Sequence, residues 1–160
     1  MVFQYAVVNW AWLSIRGVYD GAGHTISNLN CNGNELSHGN VGLFGKLGGT
    51  VCNLGIESGK VEGAYIGSIA SHSADESAQI INCYSKMDQR ASGRCGGIAD
   101  NFGKGKIVGC VFAGTLDSEG SAGGIVSYTA GNILGCYANS QLINEQFDGN
   151  IANLFFDRVR

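Results

Sequence analysis

A recurring glycine motif constrains the fold of this chain more than any other feature of its sequence. It reads GLFG at 42–45 and returns as GSIA at 67–70, GGIA at 96–99 and GGIV at 123–126. A second recurring segment opens on an apolar residue, and its copies follow one another at intervals of 25, 29, 27 and 26 residues. These openers are Ile26, Val51, Ile80, Ile107 and Ile133. A period in this range predicts a solenoid or a propeller.

The spacing inside each repeat separates a constant part from a variable part. The residue before each glycine motif lies 15 positions after its opener, at Val41, Ile66, Cys95 and Ala122. From there to the next opener the distance varies, at 10, 14, 12 and 11 residues. This alternation predicts a rigid scaffold with variable loops on one edge, at 45–50, 70–79, 99–106 and 126–132.

Composition favours a parallel β-helix. Charged residues make up 14% of the chain, Gly accounts for 26 of 160 residues, and Pro is absent. The repeat is too short for a propeller blade, which needs about 40–45 residues. We therefore predict one right-handed parallel β-helix domain over 1–160, with five to six coils of about 26 residues. Its parts would be an N-terminal coil or cap at 1–25, repeats at 26–152 and a C-terminal cap at 153–160.

Two ladders support this interpretation. Three residues after each opener lies a small or apolar side chain, which predicts an inward stack of Leu29, Leu54, Cys83, Cys110 and Cys136. In this stack the cysteines act as small buried hydrophobes, so we expect free thiols. The preceding position tolerates the left-handed conformation and predicts a bend in every coil, at Asn28, Asn53, Asn82, Gly109 and Gly135.

The repeats resemble a known family. The segments YDGAGHTISNL at 19–29 and VGLFGKL at 41–47, followed by repeated GGIA and I-x-N-C, are similar to the GLUG-motif repeats of bacterial secreted and surface proteins. That family includes adhesin-like chains and regions of immunoglobulin A peptidases. The resemblance implies a repeat module outside the cell or at its surface, either complete or a fragment of a larger exported protein. It implies no catalytic residues, because the motif glycines are architectural.

Candidate binding residues lie in the variable segments. The predicted binding residues there are His72, Asn101, Phe102, Lys104 and Tyr128, and the same segments carry the carboxylates Asp75 and Glu76. An aromatic ring, an amide and a carboxylate together are suited to binding a sugar. A second row should face outward because each member follows an inward position, at Tyr84, Val111 and Tyr137. These features favour a non-catalytic module that binds carbohydrate or a host surface.

Two alternatives stay open. A small polysaccharide hydrolase or lyase would use carboxylates in the variable loops, at Asp75, Glu76 and Asp100. A self-associating building block would use its end coils or the tyrosine row, giving a homo-oligomer.

Composition also argues against several partners. The net charge is −3 and no basic stripe is present, which argues against nucleic acid. No Cys/His spacing predicts zinc and no acidic loop predicts calcium, so we expect neither metal nor cofactor. The apolar opening at 1–15 contains Gln4 and Asn9 and is too short for a membrane span, so the chain is not expected to be membrane-embedded.

Overall fold

The computed structural model describes residues 14–34 and 39–143, and within them every regular element is a short β-strand. The strands form four parallel sheets, numbered here in the order in which each coil visits them. Sheet 1 consists of β1 (Ser14–Ile15), β6 (Phe44–Leu47), β10 (Ala70–Ser73), β14 (Ala99–Phe102) and β19 (Val126–Thr129). Sheet 2 consists of β2 (Val18–Asp20), β7 (Thr50–Cys52), β11 (Gln79–Ile81), β15 (Lys106–Val108) and β20 (Asn132–Leu134).

Sheets 3 and 4 complete each coil. Sheet 3 consists of β3 (Thr25–Ile26), β8 (Gly55–Ile56), β12 (Tyr84–Ser85), β16 (Val111–Phe112) and β21 (Tyr137–Ala138). Sheet 4 consists of β4 (Leu29–Asn32), β9 (Gly59–Gly67), β13 (Asp88–Gly96), β17 (Thr115–Ser118) and β22 (Gln141–Leu142). Two further strands of sheet 4, β5 (Asn40–Val41) and β18 (Ala122–Gly123), pair with β9 and β13.

This architecture confirms the predicted parallel solenoid. Neighbouring strands of each sheet come from successive coils, about 27 residues apart, and the stack has about four turns. Within residues 14–34 and 39–143 this is slightly fewer than the predicted five to six coils. The end of the predicted repeats, from residue 144 to 152, and the cap predicted at 153–160 lie outside the described residues, as do residues 1–13. Strands β1 and β2 already belong to the first coil, so the solenoid begins before residue 26.

The register of the first coil differs from the prediction. Val51 pairs with Tyr19, and Ile26 pairs with Ile56, so Ile26 is not the first opener. Likewise Leu29 lies beside Gly59 and does not continue the stack above Leu54. The first coil is longer than the later ones. A repeat of about 26 residues therefore aligned Ile26 with Val51, although Val51 pairs with Tyr19. The later register was correct, because Val41, Ile66, Cys95 and Ala122 are neighbours in sheet 4.

The core is a column of apolar side chains inside the coils. Val51, Ile80 and Ile107 stack in sheet 2 and are fully buried. Cys83 and Cys110 are buried as predicted, Cys136 is half-buried, and all six cysteines are free thiols. Phe102 belongs to this core with 1% of its surface exposed.

The repeated glycine motif marks the turn from sheet 4 into sheet 1. A Cβ on Gly67, Gly96 or Gly123 would lie 2.2, 1.7 or 2.0 Å from a backbone carbonyl oxygen three residues ahead. Those oxygens belong to Ala70, Ala99 and Val126, the first residues of β10, β14 and β19. The motif recurs because the backbone approaches itself too closely there for any side chain.

A different geometry bends the chain between sheets 2 and 3. Asn53, Asn82, Gly109 and Gly135 occupy this corner with φ of 53°, 52°, 61° and 59°. The side-chain amide of Asn82 donates to Asn53 Oδ1 at 2.8 Å, which links two coils. Asn28 also has a positive φ of 57°, but it lies at the next corner, between β3 and β4.

The variable segments are only partly loops. Each contributes a strand of sheet 1 and then a turn into sheet 2, so most of the length variation lies in that turn. One residue of it lies before sheet 1, because Val41 to Phe44 is one residue shorter than Ile66 to Ala70. The prediction of loops across the whole of 70–79 and 99–106 was wrong. The strand portions stack in register from coil to coil, and that register positions the candidate site.

Candidate functional site

Four outward side chains form a column on sheet 1, which we call the edge row. Lys46 pairs in register with His72, His72 with Asn101, and Asn101 with Tyr128. Each lies two positions after the first residue of its strand in sheet 1. His72, Asn101 and Tyr128 were predicted as binding residues. Lys46 was missed, because it lies four residues after Gly42, whereas His72, Asn101 and Tyr128 each lie five residues after the first glycine of their motif.

The polar groups of the edge row are largely unused. Among the described residues, the side chains of Lys46, Asn101 and Tyr128 make no hydrogen bond and no ion pair. Tyr128 is 53% exposed, and Lys46 is also exposed. His72 is half-buried, with Nδ1 2.8 Å from Ser71 Oγ. Because the Ser71 hydroxyl donates to the Tyr65 carbonyl at 3.1 Å, it accepts from His72 Nδ1, and His72 Nε2 remains an acceptor.

A buried polar layer lies beside this row. Ser71, Asp100 and Ser127 are all buried within sheet 1. Ser127 donates its hydroxyl to the Asp100 carboxylate, and Arg94 Nη2 lies 3.3 Å from the other carboxylate oxygen. The Arg94 guanidinium also lies over the Tyr65 ring, 5.1 Å from its centroid. The Asp100 contacts join the strands that carry Asn101 and Tyr128, because a buried carboxylate needs its partners.

Burial shifts two titrating groups in opposite directions. Desolvation raises the pKa of Asp100 above its ordinary value, although the Ser127 hydroxyl and Arg94 oppose the shift. Desolvation lowers the pKa of His72, and the nearby positive charges of Arg94 and Lys46 lower it further while Asp100 opposes them. His72 is therefore a neutral imidazole at neutral pH.

Two predicted site residues are not presented to solvent. Asp100 was expected as a loop carboxylate, but it lies in β14 with none of its surface exposed. Phe102 was expected as an aromatic binding residue, but its ring completes the core beneath sheet 1. Both corrections have the same cause, since the segment is a strand and not a loop. Lys104 is exposed in the turn that follows, and its backbone N–H donates to Ser73 Oγ at 3.2 Å.

The other predicted catalytic carboxylates lie in the turn after β10. Asp75 accepts the backbone N–H of Ser77 at 2.9 Å and also bonds the Ser77 hydroxyl. These hydrogen bonds lower the pKa of Asp75, and Arg16 lies 3.4 Å from its carboxylate. Glu76 is exposed beside it. Asp75 thus closes a turn, and Asp100 lies buried in the next coil, so the two are not a facing acid–base pair.

A second column follows the Asn/Gly corner, and we call it the corner row. It consists of Tyr84, Val111 and Tyr137, which pair in register in sheet 3. Tyr137 is 61% exposed and Val111 38%. The Tyr84 ring covers Gly55, where a Cβ would lie 2.4 Å from the ring.

Polar groups around Tyr84 are already paired, whereas the Tyr137 hydroxyl makes no hydrogen bond among the described residues. The Tyr84 hydroxyl donates to Glu57, which raises the pKa of Tyr84 to about 12, and Lys86 Nζ lies 2.7 Å from the same carboxylate. Asn53 donates to Asp20 at 3.0 Å and accepts from Asn82. A shallow groove of about 300 Å³ lies between this amide ladder and the Tyr84 ring. Most of its polar atoms serve the fold.

The outer face of sheet 4 carries alternating charges. Glu62, Arg90 and Asp117 are in-register neighbours on successive coils, and Arg90 Nε lies 3.8 Å from Asp117. They line a polar groove of about 170 Å³ together with Asn34, Ser92 and Glu119. Opposite charges stacked in this way stabilise the coil interface modestly and leave no single sign of charge for an ionic partner.

Comparison with known proteins finds no match to this chain among protein-family models, curated proteins or solved structures. The GLUG resemblance and the extracellular location therefore stay predictions. Within residues 14–34 and 39–143, no helix has the length and apolar character needed to cross a membrane. The same residues contain no group of three or more His, Cys, Asp or Glu side chains arranged for a metal ion.

Proposed function

We propose that this chain is a non-catalytic binding module that holds a carbohydrate along the edge row. The observation that carries the proposal is the in-register column of four different side chains whose hydrogen-bonding groups, apart from His72 Nδ1, are unused. Buried polar side chains in a folded protein are normally hydrogen-bonded, and Ser71, Asp100 and Ser127 follow this rule. The polar groups of the edge row beside them are free to bond a ligand, and such a column on a rigid scaffold has the character of a binding surface.

The chemistry of the row suits a sugar. Tyr128 offers an exposed ring on which the apolar face of a pyranose can stack. Asn101 both donates and accepts, Lys46 donates, and His72 Nε2 accepts, so hydroxyl groups of either orientation find partners. The neutral imidazole adds no charge to the middle of the row.

The shape of the row favours an extended ligand. Strands of a parallel sheet lie about 4.8 Å apart, so the four side chains span roughly 14 Å along the solenoid. A polymer laid parallel to the solenoid axis would contact every rung, whereas a compact metabolite would contact one or two. A polysaccharide or a surface glycan is therefore the ligand class that we propose, with action outside the cell or at its surface.

The enzymatic alternative has weaker support. Its carboxylates are a turn-closing Asp75, an exposed Glu76 and a buried Asp100. Self-association has one observation in its favour, because Val111, Leu134 and Tyr137 expose apolar surface near the same corner in the last two described coils. It is the second candidate function.

The test is a glycan-array screen followed by titration calorimetry on the best ligand. Asn101→Ala and Tyr128→Ala should each weaken binding roughly tenfold, which corresponds to about 1.4 kcal/mol. Tyr137→Ala is the matched control, because Tyr137 has similar exposure on another face, and it should leave binding unchanged.

Three outcomes would contradict the proposal. Equal weakening by Tyr137→Ala would move the site to the corner row. Release of reducing ends from a polysaccharide would favour the enzyme. A mass that rises with concentration, and falls in Tyr137→Ala or Leu134→Ala without any glycan bound, would favour self-association.

A further inference from the structure

Three of the six cysteines form a ladder at one position of successive coils. Cys83, Cys110 and Cys136 follow the Asn/Gly corner, one per coil. Val111 N–H donates to the Cys83 carbonyl at 3.0 Å, and Tyr137 N–H donates to the Cys110 carbonyl at 2.9 Å, so adjacent thiols lie one rung apart. That rung, about 4.8 Å, lies inside the Cα separation that a disulfide permits.

The three thiols differ in access. Cys83 is 2% exposed and Cys110 is fully buried, whereas Cys136 is half-buried in the last described coil. A dissolved oxidant can therefore reach Cys136 but neither of the other two. Cys136 then has a buried thiol directly beneath it and no other thiol of the ladder above it within the described residues.

The surroundings of Cys136 activate its sulfur. The backbone N–H of Cys110 donates to Cys136 Sγ at 3.4 Å. The neighbouring Cys110 thiol, together with nearby backbone groups, lowers the pKa of Cys136 to about 7, and the interaction with Cys136 raises the pKa of Cys110. In its protonated form the Cys136 thiol donates to the Leu134 and Ile107 carbonyl oxygens at 3.5 and 3.6 Å. At neutral pH a thiol with such a pKa is roughly tenfold more ionised than an ordinary thiol, and the thiolate is the reactive form.

We propose that Cys136 is a peroxide-sensitive thiol that closes a disulfide with Cys110. The Cys136 thiolate attacks one oxygen of a hydroperoxide, forming a sulfenic acid and releasing hydroxide or alkoxide. The Cys110 sulfur then attacks the Cys136 sulfur, its proton and the sulfenic hydroxyl leave as water, and the S–S bond forms. With hydrogen peroxide, two thiols are oxidised by two electrons and one peroxide is reduced to two waters.

The geometry favours a disulfide between Cys110 and Cys136 over one between Cys83 and Cys110. Stacked side chains point the same way, so the sulfurs meet only after one of them rotates toward the other. Cys136 is half-buried, so its side chain is less tightly enclosed than the other two. Cys83 and Cys110 are enclosed by core residues, which leaves that pair reduced.

The experiment treats the reduced chain with equimolar hydrogen peroxide and measures its intact mass. We expect the loss of two hydrogen atoms. Cleavage after Glu119 and Lys106 separates Cys110 from Cys136, so a disulfide between them joins two peptides and is identified by mass. No mass loss, a gain of oxygen alone, or a bridge that lacks Cys136 would each overturn the proposal.

Variants sharpen the assignment. Cys136→Ser should abolish the bridge, and Cys110→Ser should leave a sulfenic acid on Cys136 that dimedone captures. Cys52→Ser is the matched control, because Cys52 is equally half-buried but has its pKa raised by desolvation and by Asp20. It should form the bridge as the native chain does, and its failure to do so would overturn the assignment. If Cys110→Ser does not fold, Cys110→Ala replaces it, and the peptide map of the native chain decides by itself.

Discussion

The edge row and the corner row are both columns of side chains repeated once per coil, yet they differ in what their polar atoms do. In the corner row, Tyr84 donates to Glu57, Glu57 pairs with Lys86, and the neighbouring Asn53 and Asn82 bond each other. In the edge row, Asn101 and Tyr128 have no such partner among the described residues. Repetition alone therefore does not distinguish a structural ladder from a binding surface, whereas the use of hydrogen-bonding groups does.

The glycines near the two rows also differ in the physical reason for their presence. At the turn into sheet 1 the glycine is required by contact, since a Cβ on Gly96 would lie 1.7 Å from the Ala99 carbonyl oxygen. At the Asn/Gly corner the glycine is required by backbone conformation, since a Cβ on Gly109 would meet nothing within 4 Å while φ is 61°. The first kind of position excludes every side chain, and the second accepts those that tolerate a positive φ.

The largest expected effect comes from Gly96→Ala. The new methyl group overlaps a backbone oxygen that cannot move without shifting β14, so we expect a loss of roughly 3 kcal/mol or more in the free energy of unfolding. Gly109→Ala should lose only about 1 kcal/mol, the cost of a positive φ for alanine. Urea denaturation of both variants measures the difference, and equal losses would break the distinction between the two kinds of glycine.

The next effect compares the edge row with the asparagine ladder beside the corner row. Asn82→Ala removes the hydrogen bond to Asn53 and puts alanine at a φ of 52°, so it should destabilise the chain by about 2 kcal/mol. Asn101→Ala removes no hydrogen bond and should change stability by less than about 0.5 kcal/mol. Thermal unfolding of the two variants compares them, and a similar loss in both would mean that the edge row is structural as well.

A smaller and opposite effect is expected from Gly109→Asn. The position lies one coil above Asn82, has open space for a side chain, and has a φ that asparagine tolerates. The new amide can extend the Asn53–Asn82 ladder, and the unfolded chain loses freedom, so we expect a gain of up to about 1 kcal/mol. Gly109→Ala serves as the control for the backbone effect, and an asparagine variant no more stable than it would show that the ladder does not extend.

The smallest effect is a pH dependence of stability carried by His72. Its pKa is lowered in the folded chain, so as pH falls below the ordinary value of 6.5 the unfolded chain takes up the proton first. The free energy of unfolding should therefore decrease with falling pH in that window, and His72→Gln should remove this part of the slope. Asp100, whose pKa is raised above 3.8, acts with the opposite sign at lower pH, because the folded chain takes up its proton first.

Denaturation series at several pH values between about 8 and 5.5 test the His72 effect, since an ordinary histidine titrates in that range. Asp100→Asn is the matched control. It keeps His72 but removes the neighbouring negative charge that raises the pKa of His72 and so opposes the lowering by desolvation. An unchanged slope in His72→Gln would mean that His72 is not protected from protonation by the fold.

Much of the solenoid could be predicted because each coil must repeat the same contacts as the one before it. The period, the turn at the glycine motif, and the stacks of Val41 with Ile66 and of Cys83 with Cys110 follow from that requirement. The sequence also determined that His72, Asn101 and Tyr128 belong together, since a constant spacing separates them from the motif.

Only the tertiary structure decided which residue of the first coil lies beneath Val51 and which polar side chains have no hydrogen-bond partner. Tyr19 rather than Ile26 lies beneath Val51, because a longer first coil shifts the register in a way that no local pattern records. Asp100 and Phe102 are buried, and Lys46 joins the edge row, because these positions depend on strands that lie one coil away. Period is a local property that each coil repeats, whereas exposure and hydrogen-bond partners are set by neighbours distant in sequence.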